Sequence, residues 1–521
     1  MARTIEPLMS SPAFISRRGH LVLLTLIVVL GAVLRFTALG QGIPFAIGVD
    51  EPEIVERAVR MMKTGDFHPH FFDYPGLYIY IQLLTACVRF VAGGIAGLWA
   101  NLDSTTPADF YLWGRAVTAA FGTLTIVLVY QGAKRISPLA GLISAAIFAV
   151  QSMHVRESHF VLTDVPTTFF IVLTWVLALR AHDHHTVRAF FWAGVTAGLA
   201  AATKYNGGVA ILLPLLVLLI GTGGWPWKLR AIAAVTGGAA SGFLAGAPYT
   251  VLALPEFLNA FAYLSHMYAI GPPPPEPGWV IYLKHLRLNF STPGLLLAAG
   301  GLGLGLRRLW HQPRNIATLC WVTTALFALL YFWIIAGQRL IYGRYLLPVL
   351  PFLSVLAGSA VAAVLEAVHA RLARPMAAGI LGTVLVVTVC WLPTVNAVSS
   401  LIDARKVGTA EQTYRWMIEH LPAGAKIGIE TRGILFDTRE HRAENLARLV
   451  HEDFHFYQSE GFQYLVASSQ AFWTALYANP PEPGAASRYN DLFRRLEHLT
   501  TFMPDQAHPG AEWRIYRVPT P

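Results

Sequence analysis

Apolar and polar stretches alternate along the first 400 residues at a spacing set by a bilayer. Apolar segments near 20–39, 111–132, 136–153, 164–181, 188–205, 207–222, 231–250, 291–307, 315–335, 345–368 and 376–396 approach or reach the length a helix needs to cross hydrocarbon. A twelfth, Gly76 to Trp99, is apolar enough to span but carries Tyr78, Tyr80, Gln82 and Arg89. Beyond residue 400 the period changes. Ala425–Glu430 and Tyr464–Ser468 read as short strands, and Trp513–Val518 alternates as a terminal strand. Residues 408–421 and 485–499 have helical spacing, with Tyr414, Met417, Ile418 and Leu421 on one face of the first. The pattern predicts a polytopic α-helical membrane domain over 1–400 and a small C-terminal α/β domain over 401–521.

Composition agrees. The chain is 55% hydrophobic and 13% charged, with mean hydropathy +0.49, against about 25% charged residues in a soluble protein. Its net charge of +9 is unevenly spread: residues 401–521 hold 13 Lys+Arg and 15 Asp+Glu. The positive excess therefore belongs to the membrane part, where it reports orientation and not nucleic-acid binding. Cys87, Cys320 and Cys390 have neither disulfide-framework nor zinc spacing. Arg17 and Arg18 precede an apolar run to Leu39 that is too long for a signal-peptide core, so it reads as a retained anchor.

Charge decides what 76–99 does. Lys134, Arg135, Arg180, Arg188, Lys228, Arg230, Arg307, Arg308, Arg314, Arg371 and Arg374 fall in alternate loops. The intervening loops carry six basic residues against these eleven. The positive-inside rule puts the richer set, with Arg17 and Arg18, in the cytoplasm. Both conditions hold together when 76–99 lies in the outer interface. The expectation is eleven spans, the N-terminus inside, the C-terminal domain outside, and interfacial helices in a first outer loop over 40–110.

That topology places several polar clusters on one face. Gly48-Val49-Asp50-Glu51-Pro52-Glu53 follows the first span, and an acidic pair at that depth suits a base that removes a proton from an acceptor hydroxyl. A solvated acidic loop is the plainer explanation of the pair. Asp50 is the better base candidate, and Glu51 would hold its geometry or bind a cation. Asp73 and Tyr74 precede Pro75 at the entry to the interfacial helix, where Asp73 is equally a helix cap. In the strip Met153 to Pro166, Asp164 is a second carboxylate and His159 a cavity candidate, although Thr163 or Asp164 also suits a cap with Pro166 in the first turn. Arg344, flanked by Tyr342 and Tyr345, can fork onto a phosphate or snorkel to headgroups. Lys204 has a similar position. His68, His70, His154 and His159 show no ligand spacing, so a metal site stays unassigned and a divalent metal stays open. The loop 251–288, with Pro272 to Pro275, is long enough for a lid.

Taken in order, these motifs resemble the GT-C superfamily of polyprenyl-phosphate-dependent glycosyltransferases, in the family-39-like branch of protein O-mannosyltransferases and bacterial aminoarabinose transferases. The carriers over residues 20–350 are Asp50-Glu51, Asp73-Tyr74-Pro75, Thr163-Asp164-Val165-Pro166, Thr203-Lys204 and Gly343-Arg344-Tyr345-Leu346-Leu347-Pro348. The resemblance implies a GT-C fold and an inverting single displacement, in which a sugar leaves a polyprenyl phosphate as an acceptor oxygen attacks. It implies Asp50 as base, Glu51 as its acidic neighbour, Asp164 as the second acidic residue, and Arg344 with Lys204 at the donor phosphate. The acceptor would be a lipid, glycan or protein at the outer face of a bacterial inner membrane. Glu53 and Tyr74 stand where the aminoarabinose transferases have basic residues, so sugar and acceptor stay open. Residues 401–521 resemble the C-terminal domain of bacterial family-39-like proteins and not the mannosyltransferase lumenal domain. A lipid or sugar flippase is the competing expectation. It would show internal repeats and broken helices with central charges, and no repeat is evident in the sequence.

Overall fold

The computed structural model describes all residues except 1–15, 45–47, 49, 222, 271–273, 275, 313–314, 373–374, 431–440, 477–483 and 521. Val49 of the first acidic loop, most of the Pro272–Pro275 run, and Arg314 and Arg374 of the charge count lie outside the described residues.

Among the described residues, eight helices are long and apolar enough to cross a membrane, and three shorter apolar helices accompany them. Seven of the eight, the three shorter ones and the helix Thr292–His311 coincide with the eleven segments expected to span. The eighth is Leu77–Ile95, the segment expected to lie flat, and by length and composition it qualifies as a span. Several segments open irregularly. The one after Lys204 begins as a 3-10 turn, Tyr205–Ile211, before the α-helix Leu212–Ile220, and another begins at the 3-10 turn Gly343–Leu346.

The chain divides into two compact units. The first comprises 1–37, 67–81 and 117–398, and the second 38–66, 82–116 and 399–521. The first unit is helical around a core that includes Phe148, Trp175, Phe190, Tyr331 and Phe352. Its helix Arg17–Phe36 exposes Leu21, Leu26, Val29 and Val33, each more than half accessible. An exposed face built of aliphatic side chains is what lipid requires and water penalises.

The second unit holds the amphipathic helix Pro52–Thr64. Pro52 suits its first turn, Ile54, Val55, Ala58, Val59 and Met61 are buried, and Gly65 ends it in the left-handed conformation (φ 72°). Its segment 399–521 contains a five-stranded sheet: β1 (Lys426–Glu430), β2 (Arg442–Leu446), β3 (Tyr464–Ser468), β4 (Glu497–Phe502) and β5 (Trp513–Arg517), in the order β2-β1-β3-β5-β4. The strands β2, β1 and β3 run parallel, and β5 and β4 close the sheet antiparallel. The helix Thr409–His420 covers one face through Met417, against Ile427, Ile429, Val466 and Ile515. Tyr457, Phe472, Tyr489 and Leu492 pack with Leu465 and Tyr516 on the other.

One expected element needs correction. The helix expected over 485–499 stops at Arg495, and Glu497–Phe502 is the edge strand β4. The physical reason is the pairing with β5, which places Thr500 and Thr501 opposite Ile515 and Arg514; β-branched residues fit that surface better than a helix end.

Candidate active site

In the first unit the structure joins three residues that are far apart in sequence. Asp164 is the first residue of the helix Asp164–His184 and only 4% exposed. Neither it nor Thr163 acts as a simple cap: Thr163 makes no side-chain capping bond, and the Asp164 carboxylate turns to cations. Lys204 donates to Asp164 Oδ1 at 2.7 Å, and Arg344 Nε lies 3.7 Å from Oδ2. The helix N-terminus adds a favourable field for the carboxylate.

Local backbone geometry puts Lys204 there. It ends the helix Val187–Thr203 in an extended conformation, and its carbonyl accepts from Gly207 N at 2.7 Å. A Cβ at Gly207 would sit 2.3 Å from the Ala200 carbonyl oxygen, so only glycine permits this tight return. The ammonium lies 4.6 Å from the Tyr345 ring centre and 5.8 Å from that of Tyr74, within cation–π range. Tyr345 and Tyr268 share a hydroxyl contact of 2.8 Å. Arg344 stands over the Tyr342 ring at 4.9 Å.

One carboxylate, Asp164, is met by two cations, Lys204 and Arg344. Arg344 keeps 21% of its side chain accessible, with Nε 3.7 Å from Asp164 Oδ2. A guanidinium is the group type that forks onto a phosphate.

The acidic pair belongs to the second unit. Asp50 is a half-buried turn residue immediately before the helix Pro52–Thr64. Glu51 is wholly buried and bidentate with Arg115: Nε donates to Oε1 at 2.8 Å and Nη2 to Oε2 at 2.6 Å. Gly48 N also donates to Oε2, at 2.7 Å. Arg115 Nη1 ties the Leu39 and Gln41 carbonyls at 2.9 and 2.7 Å. Of the two roles open to Glu51, these bonds fit the holding of geometry. They fix the chain on both sides of Asp50. Nearby in the sequence, burial pushes the Glu56 carboxyl up, with the Tyr111 hydroxyl bond and Arg57 opposing.

The other candidates separate by environment. Tyr74 joins the Lys204 cluster through its ring, whereas Asp73 is exposed. His159 is 2% exposed, with Nδ1 2.8 Å from the Val155 carbonyl and Nε2 2.8 Å from that of Thr37. Burial pushes its imidazole below the usual range, and the carbonyl contacts pull the other way. It bolts the end of the first helix to the strip 152–159. Arg35 does similar work from inside that helix: Nη1 donates to the Gly31 and Ala149 carbonyls, and Nη2 contacts His154 Nδ1 at 3.3 Å.

Sequence reasoning missed Arg35 and Arg115. Each is a fully buried arginine within a long apolar helix, and an ionisable residue at such a position was itself the available signal.

Residues 61–260 match the family model for dolichyl-phosphate-mannose-protein mannosyltransferases. The chain is 29% identical over 115 residues to dolichyl-phosphate-mannose–protein mannosyltransferase 1 of Saccharomyces cerevisiae, a match covering 20% of this chain and 14% of the yeast protein's length. The fold is similar to the apo oligosaccharyltransferase of Archaeoglobus fulgidus, with TM-score 0.57 and 12% identity over 97% of this chain and 75% of that one. It is also similar to ArnT of Cupriavidus metallidurans bound to undecaprenyl phosphate, with TM-score 0.54 and 14% identity over 96% and 98%. The chain is thus a multi-pass membrane protein with the GT-C fold, and its residues 61–260 are similar to the protein-mannosyltransferase family.

Proposed function

We propose that this protein is an inverting glycosyltransferase that moves a sugar from a polyprenyl-phosphate donor to a lipid, glycan or protein hydroxyl at the outer face of a bacterial inner membrane. The observation that carries the reading is the Asp164–Lys204–Arg344 cluster, which gathers two cations, one of them partly accessible, of the types that suit a phosphate leaving group. Fold similarity to a protein bound to undecaprenyl phosphate supports the donor class. An apolar cavity of about 280 Å³, lined by residues such as Leu286, Ala298, Ala328, Phe332 and Leu353, has the chemistry to take isoprenoid units.

In this reading the acceptor oxygen attacks the anomeric carbon and the bond to the phosphate oxygen breaks, releasing polyprenyl phosphate. The acceptor's proton passes to Asp50. Glu51 and Arg115 hold the Asp50 turn, and Lys204 and Arg344 stabilise the charge that grows on the departing phosphate. Asp164 keeps the two cations oriented.

The test is transfer in proteoliposomes. Purified protein given polyprenyl-phosphate sugars and an envelope extract should form a new glycosidic bond and release polyprenyl phosphate. Movement of the lipid-linked sugar across the bilayer without bond formation would replace this reading by a flippase.

A further inference from the structure

In the first unit, a second convergence of polar side chains, sharing no residue with the Asp164 cluster, joins two segments distant in sequence. His68, His70 and Glu256 each offer a ligand atom, and these atoms lie within 4.8 Å of one another. His68 is 7% exposed, whereas His70 and Glu256 reach solvent. His68 Nε2 lies 3.7 Å from Glu256 Oε2. His70 has a left-handed backbone (φ 48°), and its ring stands edge-on to that of His68 with centres 3.9 Å apart. Histidine tolerates that conformation better than most side chains, and here it turns two imidazoles two residues apart toward one point.

We propose that His68, His70 and Glu256 bind a divalent transition metal of the zinc class, which pins the segment 67–74 to the start of the helix Leu254–Ile270. Two imidazoles and a carboxylate suit zinc and its first-row neighbours and disfavour magnesium and calcium, which select oxygen ligands. Three protein ligands leave a fourth position for water. Donor atoms around tetrahedral zinc stand about 3.3 Å apart, given Zn–N and Zn–O distances near 2 Å. The solvent-facing side chains of His70 and Glu256 therefore have to close by about an ångström. His70 N donates to His68 Nδ1 at 3.1 Å, which directs Nε2 at Glu256. Ligation through Nε2 moves the ring proton to Nδ1 and gives up that bond, so the expected affinity is below that of a preformed structural site.

The surroundings fit a pin and not a catalytic centre. Phe257, beside Glu256, packs on Phe72, and the Phe72 carbonyl accepts from Tyr205 at 2.9 Å. Tyr249 closes on His68 with ring centres 4.4 Å apart. The far end of the pinned helix carries Tyr268, which meets Tyr345 beside Lys204. A metal at the near end thus stiffens the connection that presents Tyr268.

The test uses full-length protein in detergent, stripped with EDTA and titrated with zinc sulfate, read by calorimetry and by hydrogen exchange. The expected result is one zinc per chain, weakened about tenfold or more by H70A and by E256Q and abolished in the double variant. Zinc should also slow exchange in 67–74 and 254–265. Equal zinc uptake by the double variant and the wild-type chain would overturn the site. Uptake without slowed exchange would overturn the pin. Neither readout depends on sugar transfer, so the transferase reading and this one fail separately.

Discussion

Glu51 and Asp164 are both buried carboxylates paired with cations, and they use their charge differently. Glu51 receives three bonds from Arg115 and Gly48, and Arg115 spends further donors on two backbone carbonyls. Both side chains are wholly inaccessible. Asp164 receives one short bond from Lys204 and a long approach from Arg344, whose side chain stays partly open. A closed pair of that kind fixes a backbone, whereas the Asp164 cluster gathers two cations and keeps one of them partly accessible. Burial of charge alone therefore does not tell the two sites apart; accessibility does.

Substitution at Arg115 should break the first half of this comparison with the largest effect. Arg115→Met leaves Glu51 charged and buried, at a cost of roughly 3–5 kcal/mol. The thermal midpoint of the detergent-solubilised protein should drop sharply, and Arg115→Met/Glu51→Leu should recover much of it. An unchanged midpoint in the single variant would show that the pair is not the anchor described.

Lys204→Met should fall between the two extremes. Asp164 keeps Arg344 nearby, so the stability loss should be smaller than for Arg115→Met, with transfer reduced as well. Arg344→Gln should act on function with little effect on folding. The thermal midpoint should move by less than about 1 kcal/mol equivalent, while KM for the polyprenyl-phosphate sugar rises about tenfold or more, the expected loss for one charge-assisted contact. Donor saturation curves at fixed acceptor check it.

A third buried carboxylate sharpens the contrast with the smallest effect. Glu430, at the end of β1, accepts from Leu449 N, Ser468 N and the Tyr489 hydroxyl, and burial pushes its pKa up despite those donors. The unfolded carboxyl ionises at its ordinary value, so between that value and the raised one the folded state holds the extra proton. Stability of the region that holds the five-stranded sheet should therefore fall as pH rises through that window and level off above it. Pulse proteolysis of the full chain in urea across pH reads this directly.

Much of this was legible in the sequence where one periodicity was strong. The spanning segments declared themselves through apolar length, and β1, β3 and β5 through short apolar or alternating runs. The strand Arg442–Leu446 was not, because its pairing with β1 rests on backbone bonds under polar side chains. Asp164, Lys204 and Arg344 were each visible as polar residues at span ends, but their contact is a product of tertiary packing. Arg115 was hidden in a span, and His68 and His70 meet a Glu256 that no local spacing connects to them. The sugar and the acceptor have no such local signature.

The central claim is that Asp50 removes the acceptor's proton, and Asp50→Asn tests it most directly. Asparagine keeps the shape of the turn and cannot accept a proton at neutral pH. The account predicts that the transfer rate from polyprenyl-phosphate sugar falls by roughly 10²–10⁴-fold, with the thermal midpoint and donor KM near wild type. Transfer at the full wild-type rate by the Asp50→Asn protein would contradict it.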